Sequence, residues 1–116
     1  MTDDKCARSI SWAGGTHTFT LAHPWVQRLL SWRGIPGSNG SSIAAVMARF
    51  EAGNYSGDDV QRIMELALIG GGTPEREVQA LLDSHVLNKP LAPNVLIASE
   101  VLAALFVGDT YASTVA

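Results

Sequence analysis

The chain has 116 residues, which suits one domain with a real hydrophobic core. Its 47% hydrophobic and 16% charged residues make it apolar for a small soluble protein, so another subunit or partner is expected to cover part of its surface. The formal net charge of -3 and the scattered placement of eight Lys and Arg residues argue against nucleic acid as the main ligand. No apolar run reaches the roughly 20 residues that a membrane span needs.

The first part of the chain is predicted to be a β-hairpin at residues 9–21, after a loose N-terminus at residues 1–8. Apolar residues alternate with serines and threonines there, and Gly14-Gly15 can supply the two φ > 0 positions of a tight turn. The predicted register pairs Trp12 with His17 and Ile10 with Phe19. It puts one apolar face inward, consisting of Ile10, Trp12, His17, Phe19 and Leu21, while Ser9, Ser11, Thr18 and Thr20 face water.

Five helices are predicted to form a bundle at residues 24–107, followed by a frayed tail at residues 108–116. The central helix has the clearest start, because Ser56 and Asp59 have the spacing of a capping box. Its apolar residues then recur at helical spacing up to the glycine run at residues 70–72, namely Val60, Ile63, Met64 and Ala67. The other starts are indicated by Pro24, Ser41 or Ser42, Thr73-Pro74 and Pro93. The sequence thus predicts one mainly α domain over residues 1–116, a compact bundle of about five helices with a short N-terminal β-hairpin.

No pattern in the sequence indicates a catalytic residue, a cofactor or a metal. The three histidines, His17, His23 and His85, lie on three different predicted elements, and none has a ligand-spaced neighbour. His17 is interpreted as the partner of Trp12, and His23 as a residue before a helix cap. Cys6, the single cysteine, cannot form an internal disulfide and has no fixed base, which favours a reducing compartment and no nucleophilic role. The glycine run follows a helix and has no lysine nearby, unlike a phosphate loop. We therefore expect that the protein is not an enzyme.

The last predicted helix is apolar on nearly every side, because only Ser99 and Glu100 are polar between Val95 and Val107. Either it runs through the middle of the bundle, or another chain covers its outward face. The second alternative makes Val101, Ala104 and Leu105 candidate partner-binding residues. Trp25 and Trp32 of the first helix are further candidates, although tryptophans without interleaved basic residues are also typical of a core.

Several short motifs resemble one family over roughly residues 10–107. They are the hairpin Gly15-Thr16-His17-Thr18-Phe19, the helix start Asp58-Asp59-Val60, the segment Leu68-Ile69-Gly70-Gly71-Gly72, and Glu77-Val78 with Leu81-Leu82-Asp83. This order is similar to that of the tail assembly chaperone-like family of gene transfer agents and tailed phages, which is also labelled a phage tail tube protein family. One segment departs from it, because PWVQRLLSWRG stands where members often carry an acidic helix.

The resemblance implies a bacterial cytoplasmic protein of phage tail assembly. Members resemble chaperones that keep the long, apolar, helical tape-measure protein soluble until tube subunits polymerise around it. The implied partners are the tape-measure protein and/or the tail tube protein, with a possible homo-oligomer and no nucleic acid or membrane. The alternatives are a structural component of the tail particle and a helical domain of unknown role in a prophage-like gene cluster. Tube subunits are generally β-rich, so five helices and one hairpin fit a chaperone better.

Overall fold

The computed structural model describes residues 6–37, 40–87 and 89–115, with side chains described as far as Gly108. Within these residues the chain forms two strands and five helices. They are β1 (Arg8–Trp12), β2 (Gly15–Phe19), α1 (Pro24–Trp32), α2 (Ile43–Ala52), α3 (Gly57–Gly70), α4 (Glu75–His85) and α5 (Ala92–Val115). The predicted mainly α bundle with an N-terminal hairpin is confirmed.

Helix α3 is the central element, and it packs against α1, α4, α5 and β2. The predicted inward residues of α3 are fully buried, namely Val60, Ile63, Met64 and Ala67. The predicted capping box is also confirmed. The Asp59 backbone N–H donates to Ser56 Oγ at 3.1 Å, and the Asp59 carboxylate accepts from the Ser56 N–H at 3.0 Å. Two of the free N–H groups at the start of α3 are thereby satisfied.

The hairpin has the predicted faces but a different register. Trp12 pairs with Gly15, and Ile10 pairs with His17, so the turn consists of Ala13 and Gly14 rather than of the two glycines. The shift is two residues, which leaves the same side chains on the same face. Alternation alone therefore could not distinguish the two registers. Thr20, predicted to face water, is buried, because β2 ends at Phe19 and the chain there turns onto α3.

The glycine run at the end of α3 brings the hairpin backbone against the helix. The Thr20 N–H donates to Ala67 O at 3.1 Å. A Cβ atom on Gly70 would overlap the carbonyl oxygen of Thr20, and one on Gly71 would overlap that of Thr18. Only hydrogen fits at these two positions, so β2 can approach closer than any side chain would allow.

Three helix starts and one helix end differ in detail from the sequence prediction. His23 is itself the N-cap of α1, because its Nδ1 accepts from the Trp25 N–H at 3.1 Å. Helix α4 begins one residue later than predicted, after Pro74, which offers no side-chain cap. Helix α5 begins at Ala92, and non-helical angles at Gly108 break it next to the predicted end. Of the two candidate caps for α2, Ser42 is the one used.

One buried ion pair joins α2 to α3. Arg49 donates from Nε to Asp59 Oδ2 and from Nη2 to Asp59 Oδ1, both at 2.9 Å, and both side chains are at most 2% exposed. The guanidinium also donates to two carbonyl oxygens of the connection between α1 and α2, Ile35 O at 2.9 Å and Gly40 O at 2.8 Å. Among the described residues, every buried side-chain nitrogen and oxygen has a hydrogen-bond partner.

The environment of Asp59 changes the pKa of its carboxyl group. Burial acts to raise this pKa, but the hydrogen bonds from Arg49 and from the Ser56 backbone, together with the Arg49 charge, outweigh burial. The pKa therefore lies below the ordinary value of 3.8. A lowered pKa means that the ionised carboxylate stabilises the folded state above about pH 4, and that this stabilisation is lost as the pH falls through the folded-state pKa.

We expect Gly71→Ala to destabilise the protein by about 3 kcal/mol, the upper end for overpacking, because the new methyl group meets a backbone carbonyl. The matched control is Gly57→Ala in the first turn of α3, where a Cβ atom has only a contact of 3.9 Å with Leu91. This variant should be as stable as wild type or more stable by up to about 1 kcal/mol, since alanine favours a helix. Urea unfolding of both variants measures the difference, and equal stabilities would contradict the close approach of β2.

We expect Asp59→Asn to cost about 3–5 kcal/mol at pH 7, because Arg49 would keep a buried charge without its counter-charge. Asp58→Asn, the exposed neighbour, should cost less than about 1 kcal/mol through the helix dipole alone. The difference in the free energy of unfolding between wild type and Asp59→Asn should become smaller as the pH is lowered below about 4, because the Asp59 carboxylate of wild type is then protonated and loses the same charge. Urea unfolding across pH 3–7 measures it, and a gap that stays constant would contradict the role of the ion pair.

Candidate partner-binding surfaces

The five residues that the sequence suggested for partner binding lie in different environments. Val101 and Ala104 are 0% and 1% exposed, so the expectation that they face outward is wrong. Val101 belongs to the hydrophobic core, and α5 packs mainly against α3. Leu105 is partly buried against the same core. Trp25 and Trp32 are 45% and 76% exposed, so α1 presents both indoles to solvent.

The position of Glu100 indicates part of the outward side of α5. Leu96, Ala103 and Val107 lie four, three and seven residues from it, and all three are exposed. The same spacing also selects Ile97 and Ala104, which are buried. Glu100 therefore marks the outward side but does not define its limits, and the burial of Ala104 does not follow from the spacing.

The outward side of α1 is aromatic and basic. Trp25, Arg28 and Trp32 follow one another at helical spacing, and all three are exposed. Arg33, the C-cap of the helix, holds its guanidinium 5.6 Å from the centroid of the Trp32 ring. We call these four residues the α1 face. Its apolar rings and planar cations are the side-chain types that interfaces favour.

The outward side of α5 is apolar and acidic. Phe106 and Val107 are 49% and 40% exposed, next to Glu100 and Ala103. Beside them a shallow groove of about 260 Å³ separates α5 from α2, lined by Met47, Phe50, Glu51, Ser99 and Ala103. We call Glu51, Glu100, Ala103, Phe106 and Val107 the α5 outer face. It combines exposed apolar side chains with two carboxylates.

A larger groove lies between the hairpin tip, the end of α4 and the start of α5, and we call it the tip groove. Its volume is about 600 Å³. Trp12 forms one wall, held by a 2.9 Å hydrogen bond from its Nε1 to His17 Nδ1 and by edge-on contacts with the rings of Phe19 and His85. Leu96, which is 73% exposed, also lines the groove. The remaining lining comes from Ser11, Ala13, Ser84, Lys89, Pro90, Pro93, Asn94 and Ile97.

The histidines have structural partners. His17 accepts from Trp12, His23 caps α1, and His85 packs against the Trp12 ring. In the described part of the chain, no group of three or more His, Cys, Asp and Glu side chains could hold a metal ion. None of the helices described here has both the length and the apolar content for crossing a membrane.

The comparisons with known proteins give one match. The model of a family described as phage tail tube protein, GTA-gp10, matches residues 6–108. The comparison with curated proteins and the comparison with solved structures each found no match. The matched range includes the hairpin, the first four helices and α5 as far as Gly108, and therefore all three surfaces described above. The chain belongs to the phage tail tube protein, GTA-gp10 family, and is a tail-related protein of phages and gene transfer agents.

Proposed function

We propose that the protein is a tail assembly chaperone that binds an apolar helical segment of the tape-measure protein in the tip groove. The observation that carries the proposal is the position of Leu96, a leucine 73% exposed at the rim of an open, mostly apolar groove. A large apolar side chain in that position gains free energy when a partner covers it.

The shape of the tip groove supports a helical ligand. Its volume of about 600 Å³ accommodates several ligand side chains. Amphipathic helices bind such grooves by inserting apolar residues at helical spacing. Trp12 is a rigid wall for those residues, since its hydrogen bond to His17 holds the indole in place. Aromatic anchors of this kind dominate the energy of many interfaces.

The fold supports a chaperone rather than a subunit of the tube wall. The described chain contains one two-stranded hairpin, with five residues in each strand, whereas tube subunits are generally β-rich. In this role the protein performs no catalytic step. It acts in the bacterial cytoplasm, where it keeps the tape-measure protein soluble until the tube forms.

Leu96→Asp tests the proposal. We expect co-purification with the tape-measure protein of the same gene cluster to fall at least about tenfold, because a charge in a desolvated groove costs several kcal/mol. The matched control is Leu91→Asp, a leucine that is 42% exposed and does not line the tip groove. It should capture the tape-measure protein as wild type does. Thermal unfolding of each variant verifies that it is folded, and equal capture by all three proteins would contradict the role of the tip groove.

The second candidate function is a structural component of the tail. The description of the family as a tail tube protein favours it. The two candidates differ in where the protein is found after assembly. Mass spectrometry of purified particles should find it absent if it is a chaperone, and present in many copies per particle if it is a tube component.

A further inference from the structure

The charges of this chain are divided between its two parts. After Asp3 and Asp4, residues 5–50 contain five basic residues and no acidic one, whereas residues 51–116 contain nine acidic and three basic ones. Of the five basic residues, Arg49 is paired with Asp59 inside the protein. Arg28 and Arg33 are exposed on the α1 face, and no carboxylate is close to them in sequence.

Residues 5–50 and residues 51–116 each have a surface on which these charges stand next to exposed apolar side chains. The α1 face sets Arg28 and Arg33 beside two exposed indole rings. On the α5 outer face, Glu51 lines the groove together with Ala103, and Glu100, Phe106 and Val107 are exposed on the same helix as Ala103. Each surface therefore combines exposed apolar side chains with charged ones. The charges are positive on the α1 face and negative on the α5 outer face. Opposite potentials on two apolar patches are what complementary interfaces show.

We propose that the α1 face of one copy binds the α5 outer face of a second copy, so that the protein associates with itself. The contact is not made within one molecule, because the residues of both faces are exposed in the folded chain. The faces also border different grooves. Trp32 lies beside the groove between α1 and the start of α2, and Ala103 lies beside the groove between α2 and α5. This inference is independent of the tip groove and of the chaperone role.

The two kinds of side chain contribute differently to this contact. Exposed ion pairs are individually weak, so the burial of Trp25, Trp32 and Phe106 supplies most of the affinity. Arg28 and Arg33 opposite Glu51 and Glu100 fix which faces meet and exclude α1-to-α1 or α5-to-α5 pairing, where like charges repel.

A contact between two different faces can be repeated in two ways. Two copies can pair both faces at once around a two-fold axis, or each added copy can leave one α1 face and one α5 outer face free and so build a ring or a filament. In either case wild-type protein should form species heavier than the monomer as its concentration rises. Raising the salt from 0.1 M to 1 M shortens the Debye length from about 10 Å to about 3 Å, and should shift the mass back towards the 12.3 kDa monomer.

Charge reversal tests the contact. Arg28→Glu with Arg33→Glu makes both faces acidic, and Glu51→Arg with Glu100→Arg makes both faces basic. We expect each double variant to remain at 12.3 kDa in sedimentation experiments. An equimolar mixture of the two should regain association, because each face then meets one of opposite charge. Restored association also shows that both variants are folded.

Matched substitutions on α4 serve as the control. Arg76→Glu and Glu75→Arg change exposed charges of the same types outside both faces, and each variant should associate as wild type does. The proposal is overturned by any of three results. They are a wild-type protein that stays monomeric, double variants that associate by themselves, and a mixture that remains monomeric.

Discussion

The fold depends on the position of one buried guanidinium. Arg49 extends from α2 to the carboxylate of Asp59 in α3, and its remaining contacts hold Ile35 O and Gly40 O in the connection from α1. Because a buried arginine must have acceptors for its N–H groups, the loop and the two helices are restricted to an arrangement that supplies them all at once. A buried ion pair adds little stability over well-packed apolar residues, so its main consequence is geometric. It sets how α1 and α2 lie relative to α3.

Asp59 has a second role, because it also caps the start of α3. The same carboxylate that neutralises Arg49 accepts the Ser56 N–H and completes the capping box at the start of α3. The beginning of the central helix and the docking of α2 are therefore parts of one interaction. At the other end of α3, Gly70 and Gly71 allow the hairpin backbone to lie directly on the helix. The two ends of α3 thus position, by different means, α2 and the hairpin.

The Arg49–Asp59 interaction and the close approach of the hairpin at Gly70 and Gly71 determine where the exposed surfaces of the protein lie. The hairpin brings Trp12 to the end of α4 and the start of α5, which creates the tip groove. The Arg49 interaction orients α2, and with it Glu51 beside α5. Under the two proposals above, the protein would bind an apolar segment in one groove and further copies of itself through other faces, and would cover a long helical partner with repeated units.

The features of this fold that depend on neighbouring residues can be predicted from the sequence. The capping box of α3, Pro24 in the first turn of α1, the end of α2 at Gly53 and the inward and outward faces of the hairpin all follow from interactions within a few residues. The family was also evident from the order of its motifs. The hairpin register depends on the packing of the whole chain, since a shift of two residues preserves every face. The same holds for the pairing of Arg49 with Asp59 and for the burial of Val101 and Ala104. Those outcomes depend on packing between elements distant in the chain, which the spacing of residues within one element does not specify.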